Sequence, residues 1–296
     1  MLCILYVNVV GVLVGVIGLL LEQVLPQRIA RRWVWVFLLP LSVFLPGYYR
    51  FHHAAQVSDL VGRVGSYDSM INPLWITASA LLLAWGAANL LRVAYLVWSA
   101  RRQRENRTPT IVDGVPVVVT DAVGPATVGL LRSHVLVPRW VLAMPGMQRR
   151  YVLRHEEEHR SAHDARLLFV ASLFLLLMPW NVALWWQLRR LRLAVEMDCD
   201  NRVVGALGDA NAYGELLFKV AQAASHGPRL QPALLGMGML EHRLTRLLAP
   251  TQLRSVQRIM LAAVVCVLLF VVVSMPHPVP GQGPHAHAAI NHTPQR

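Results

Sequence analysis

His155-Glu156-Glu157-Glu158-His159 and, further along, Glu196-Met197-Asp198-Cys199-Asp200 decide how this chain reads. On a helix, His155 and His159 lie one turn apart on the same face. Both imidazoles then reach one ion, and Glu156 projects beside it. Glu196 closes the shell from a second helix. Two imidazoles and one carboxylate leave a fourth position open for water, which is the ligand set of a catalytic zinc site holding one ion. The competing reading is a solvated, charged helix face. Context weighs against it. Gln148 to Arg154 is helix-compatible and starts just after Pro145-Gly146, and neither Pro nor Gly interrupts Met147 to Leu177. One helix is therefore expected to run from Met147 through the apolar stretch Leu167 to Leu177.

Zinc lowers the pKa of a bound water towards neutrality. Glu156, next to a ligand yet aimed at the open position, is the expected general base. Asp200 lies one turn after Glu196 on the same face, and Asp164 follows soon after His159. Each is expected to accept a hydrogen bond from the second nitrogen of a ligand histidine and so fix its tautomer. His163, one turn beyond His159, either lines the cleft or bonds locally. Hydrolysis also needs an oxyanion donor. Tyr213 and Arg243 are candidates, and the sequence does not choose between them. Glu157 and Glu158 suit surface or salt-bridge roles. Cys199 is turned about 100° from Asp200 on a helix, which makes it a weaker ligand than Glu196.

Around this motif the chain is unusually apolar: 55% of its 296 residues are hydrophobic and 15% are charged. That is outside the range of an ordinary soluble domain. The apolar residues gather in runs at about 2–21, 33–49, 74–98 and 258–275, which predict four transmembrane helices. The first run has no basic residues ahead of it and no small-x-small cleavage site, so it reads as a retained helix. The net charge of +12 is distributed as a topology signal. Arg28, Arg31 and Arg32, then Arg101, Arg102, Arg104 and Arg107, then Arg254 and Arg258 flank the runs on one side. Arg50 and Arg63 are balanced by Asp59 and Asp68 on the other. The N-terminus and tail are then outside, and residues 101–257 are cytoplasmic. Direct nucleic-acid binding is not expected, and an anionic lipid surface is the natural partner of the basic excess. The three cysteines have no disulfide or zinc-site spacing.

The fold class that follows is mainly α and polytopic. A small antiparallel sheet, from Val115 to Thr120, Thr127 to Leu130 and His134 to Val137, precedes the metal helix. Its edge could pair with an extended peptide substrate. Residues 166–187, broken at Met178-Pro-Trp-Asn181, form a hydrophobic hairpin that either dips into the bilayer or packs as a core pair. Residues 201–250 read as amphipathic helices broken at Ser225-His-Gly-Pro228, and 276–296 as a disordered Pro- and His-rich tail.

Four stretches in order, Val128-Gly-Leu-Leu-Arg-Ser-His-Val-Leu-Val-Pro138, Val152-Leu-Arg-His-Glu-Glu-Glu-His159 with Asp164, Met178-Pro-Trp-Asn181 and Glu196-Met-Asp-Cys-Asp200, closely resemble the BlaR/MecR-type membrane metallopeptidases. The resemblance covers about residues 110–250. It implies a gluzincin-like α+β zinc endopeptidase domain at the cytoplasmic face of a bacterial inner membrane, with His155, His159 and Glu196 as ligands and Glu156 as base. In the sensor members the substrate is associated with a penicillinase-repressor-type DNA-binding repressor. Those members carry a penicillin-binding domain after the last membrane helix. Here about twenty residues follow Met275 and no Ser-x-x-Lys motif occurs, so sensing by covalent acylation is expected to be absent. The alternatives are a quality-control protease resembling the HtpX group and a non-catalytic membrane sensor or scaffold. The sequence does not set the oligomeric state.

Overall fold

A computed structural model describes residues 2–25, 30–52, 73–74, 76–88, 91, 95, 110–120, 125–130, 133–224, 233–248 and 254–274. The helices are α1 Leu2–Val24, α2 Arg32–His52, α3 Ile76–Ala88, α4 Arg139–Leu142, α5 Gly146–Ser161, α6 Asp164–Leu177, α7 Val182–Leu207, α8 Ala210–Ala224, α9 Ala233–Leu248 and α10 Ser255–Ser274. The strands are β1 Thr110–Val112, β2 Val115–Thr120, β3 Ala126–Val128 and β4 His134–Pro138. The linker at 101–109, the turn residues 131–132, the break at 225–228 and the tail lie outside the described residues.

Four transmembrane helices were expected, and among the described residues two meet the requirement of length and apolarity. These are Leu5–Val24 within α1, at a mean hydropathy of 2.2, and Ser255–Ser274, at 2.7. Arg32–Pro46 and Ile76–Ala88 are apolar but shorter. In α2 the apolar run ends at Pro46, with Pro40 also inside the helix. The last helix exposes Phe270, Val267 and Ile259, an apolar surface with no protein against it.

The sheet corrects the expected all-antiparallel arrangement. It has four strands in the order β1-β2-β4-β3. β1 pairs antiparallel with β2, and β3 with β4, but β2 and β4 run parallel with Val117 opposite Val135. The β3–β4 hairpin lays β4 between β3 and β2, and the segment after β2 is long enough to return the chain for parallel pairing. Val117, Val135 and Val137 are buried on one face and Val118 and Leu136 on the other, so the central strand pair is covered on both faces.

A second correction concerns the metal helix. The expected single helix is two, α5 and α6, broken at Ala162-His163. His163 takes a left-handed conformation at φ 57°, and α6 starts afresh at Asp164. The break at Met178 to Asn181 is where the sequence puts it. The Asn181 side chain accepts from the Leu184 amide at 3.3 Å and caps α7.

Two cores result. One gathers α1, α2, α6, the first half of α7 and α10 around Val10, Ile17, Trp35, Leu184 and Leu191. The other packs β2 and β4 on α5, α8 and the second half of α7 around Val117, Leu153, Val203 and Tyr213. The 26-residue α7 is about 39 Å long and belongs to both. Glu196 falls where one core gives way to the other, between Val195 in the first and Cys199 in the second.

Candidate metal centre

α5 brings His155 and His159 to one face, with ring centroids 4.6 Å apart and planes at 88°. Their Nε2 atoms face each other at 3.2 Å. Glu196 reaches them from α7, with Oε2 at 3.5 Å from Nε2 of His155 and Oε1 at 3.6 Å from Nε2 of His159. A tetrahedral zinc with ordinary bond lengths separates two nitrogen donors by about 3.3 Å, and a nitrogen from an oxygen by about 3.4 Å. The three donors fit that spacing.

The other ring nitrogens are occupied. Nδ1 of His159 donates to Asp164 Oδ2 at 2.8 Å. Nδ1 of His155 lies 2.9 Å from the Tyr213 hydroxyl, which itself donates to Asp200 Oδ1 at 2.8 Å. With the Tyr213 proton directed at Asp200, the Tyr213 oxygen accepts from Nδ1–H of His155, and both Nε2 lone pairs are free to converge. Arg243, from α9, clamps Asp200 through Nε at 2.8 Å and Nη2 at 2.7 Å, and reaches Glu196 Oε2 through Nη1 at 3.0 Å.

Charge in the centre follows from these neighbours. Burial opposes a charge on His155, but Cys199 and Glu196 outweigh it and push the imidazole up to about 10. His159 is raised well above the usual histidine range against its burial, by Glu196 and Asp164. Glu196 is held well below the usual carboxylate range despite burial, by Arg243 and His159. The site thus favours positive charge between the imidazoles, which a divalent ion supplies in place of protons.

Glu156 is buried at 7% exposure. Thr127, on the edge strand β3, donates to its Oε2 at 3.0 Å and stands 2.8 Å from its backbone oxygen. The sheet edge and the helix are therefore fastened at Glu156. Glu157 pairs with Arg160, and Glu158 with Arg154 and Arg202, so the two middle residues of the motif serve as ion-pair partners.

Several expectations change. Asp164 bonds its histidine directly, but Asp200 is 3.6 Å from Nδ1 of His155 and acts through Tyr213. The Tyr213 hydroxyl lies between His155 and Asp200, and Arg243 joins Asp200 to Glu196, so both brace the residues around the histidine pair. Tyr213 is pushed up by burial and by Asp200, and stays protonated. His163 is exposed and bonds the Ser161 carbonyl at 2.9 Å, the local bond that was one of its two expected roles. Cys199 is closer than its helical angle suggested, with Sγ 3.3 Å from Nδ1 of His155, and it forms a possible metal cluster with the two histidines. Its bonded partner is Nδ1, however, while Glu196 faces the converging Nε2 pair.

A family model described as BlaR1 peptidase M56 matches residues 50–247, two thirds of the chain. The chain belongs to this family. No curated protein matches it. The M56 match takes in His155, His159, Glu196, Asp164, Tyr213 and Arg243, and leaves out α1, all of α2 before residue 50, and α10. Three residues that touch this M56 centre escaped the sequence reading. Thr127 looked like any strand threonine. Asp198 looked like part of the acidic motif. Arg32 looked like a topology charge, and its partner lies 132 positions away.

Proposed function

We propose that this M56 peptidase is a membrane-bound zinc endopeptidase, with His155, His159 and Glu196 holding one ion and Glu156 as general base. The observation that carries the proposal is the convergence of two free Nε2 atoms and one carboxylate at tetrahedral spacing, with both Nδ1 atoms already engaged. When bound, zinc supplies Lewis acidity and a water of lowered pKa. Glu156, steadied by the Thr127 hydroxyl, would act as the general base towards a water held there and would return the proton to a leaving amine. Arg243 and Asp200 keep Glu196 and Tyr213 in place while charge changes nearby. Among the described residues β3 has one ladder neighbour, β4, and an extended substrate strand added along its other edge would run past Thr127 and Glu156.

The substrate proposed is a cytosolic protein, by family likeness a penicillinase-repressor-type repressor, cut at the inner face of the bilayer. The basic flanks of the apolar runs support residues 101–257 as the cytoplasmic side, and support 166–187 as a hairpin returning to that side. The test uses purified full-length protein in detergent micelles, with zinc quantified and cleavage of such a repressor followed by mass spectrometry. One zinc per chain is expected, with cleavage lost in Glu156→Gln while zinc is retained. Undiminished cleavage by Glu156→Gln overturns the assignment.

A further inference from the structure

The first turn of α2 is fastened to the metal centre at two points. Arg32 Nη1 donates to Asp164 Oδ1 at 2.6 Å, and the other oxygen of that carboxylate holds Nδ1 of His159 at 2.8 Å. The backbone amides of Arg31 and Arg32, left without helical partners at a helix start, donate to Asp198 Oδ1 and Oδ2, each at 3.0 Å. Asp198 lies on α7, two residues after Glu196. Arg32 Nε is also 3.9 Å from Asp198 Oδ2, so one guanidinium stands between two carboxylates whose side chains are 3% and 5% exposed.

We infer that Arg32, at the start of the apolar helix α2, is a positioning residue of the metal centre: it orients His159 through Asp164, while its own amide and that of Arg31 fix α7 beside Glu196. The inference rests on the zinc reading above. Two of the three ligands are then set by reference to α2. Asp164 has one oxygen for the arginine and one for the histidine. Without the guanidinium, a buried carboxylate loses its ionic partner and turns towards another donor. That turn removes the acceptor that holds the His159 proton on Nδ1. The guanidinium hydrogen-bonds Asp164 through Nη1 and meets Asp198 only as an ion pair, its Nε having no hydrogen-bond partner among the described residues, and a lysine would keep the charge without the directed bond. A purely structural pair would tie α2 to α6 and end there. This chain of contacts ends on the ring of a proposed ligand, at the nitrogen opposite the one that would bind. It also makes coupling reciprocal: whatever shifts α2 against α7 changes metal affinity, and bound metal holds α2 in place.

The experiment is zinc affinity by chelator competition on full-length protein in lipid nanodiscs, with the visible spectrum of the cobalt-substituted protein at saturation as second readout. Arg32→Ala is expected to weaken zinc about 10- to 100-fold, the range for outer partners of ligand histidines, and to shift the cobalt bands. Arg32→Lys should fall between it and wild type. Combined with Asp164→Asn, the losses should be well short of multiplicative, because both changes cut one chain of contacts. Arg149→Ala, which breaks an exposed pair with Asp113 at the β1–β2 turn, should leave affinity and spectrum unchanged. Should Arg32→Ala not yield folded protein, Arg32→Gln carries the comparison with the same expected loss. Wild type that binds one zinc while the Arg32 variant matches it in affinity and spectrum overturns this inference alone. Wild type that binds no zinc overturns the metal reading itself, and the inference with it.

Discussion

The two histidines of the centre are held by different halves of the molecule. His155 is fixed from within the peptidase core, through Tyr213 of α8, Asp200 of α7 and Arg243 of α9. His159 is fixed through Asp164 of α6 and then Arg32 of α2, a helix of the other core. The first arm closes on itself, since Arg243 returns to Glu196 at 3.0 Å. The second arm leaves the family-matched region, which begins at residue 50. One imidazole is thus braced by the catalytic domain, and its neighbour answers to the apolar helices.

That contrast can be broken or sharpened by experiment. The largest expected effect touches neither arm. Glu156→Gln should lower the cleavage rate by about 10²- to 10⁴-fold, as loss of a general base does, while zinc affinity stays within a few-fold of wild type. A parallel loss of metal would mean that Glu156 also supports the ligands. Next come the arms. Asp164→Asn should weaken zinc about 10- to 100-fold, and Tyr213→Phe by less, because Cys199 remains 3.3 Å from Nδ1 of His155. Equal losses, by chelator competition, would erase the asymmetry.

Packing between α1 and α7 offers a third comparison. Gln187, fully buried, donates to the Gly11 carbonyl at 2.8 Å and lies 2.9 Å from the Ser42 hydroxyl. Gln187→Leu removes both contacts, leaving Ser42 its bond to the Leu38 carbonyl at 3.1 Å, and should cost about 1 kcal/mol in denaturant unfolding. A Cβ on Gly15 would lie 2.4 Å from Cζ3 of Trp186, so Gly15→Ala forces the two helices apart and should cost about 1–3 kcal/mol. If the second arm depends on this packing, both variants should also weaken zinc. Unchanged affinity would confine the coupling to the first turn of α2.

The smallest expected effect is a pH slope in chelator-treated protein. His155 is raised from 6.5 to about 10 in the folded state. Its protonation therefore stabilises the fold fully below 6.5, and that stability is lost as pH rises towards 10. Thermal midpoints should fall over this window. Because Asp164 contributes to the raised value of His159, Asp164→Asn should flatten the slope more than Tyr213→Phe. A midpoint that rises through the same window would contradict the electrostatic account.

How far this was legible in the chain differs by element. The His-Glu-x-x-His pair was legible because helical geometry alone puts positions four apart on one face, and Asp164 was legible because it lies close in sequence to His159. The sheet was legible as strands but not in direction, since Val117 and Val135 read alike in parallel and antiparallel pairs. The break at His163 was hidden because Ser161-Ala-His-Asp164 carries no Pro or Gly, and only the turn of Asp164 towards His159 explains it. Tyr213 and Arg243 were identified as residues near the site, and their roles came out differently because hydroxyl and guanidinium partners depend on where α8 and α9 pack.

The sequence by itself determined the His-Glu-x-x-His spacing, the apolar runs and the peptidase family, because each is written in spacing a few residues long or in composition. The tertiary structure alone decided which histidine nitrogens face the Glu196 carboxylate, that Asp200 meets His155 through a tyrosine, and that Arg32 is joined to His159 through Asp164. Those are contacts between residues far apart in the chain, and only the packing of α2 against α6 and α7 brings such groups within hydrogen-bond distance.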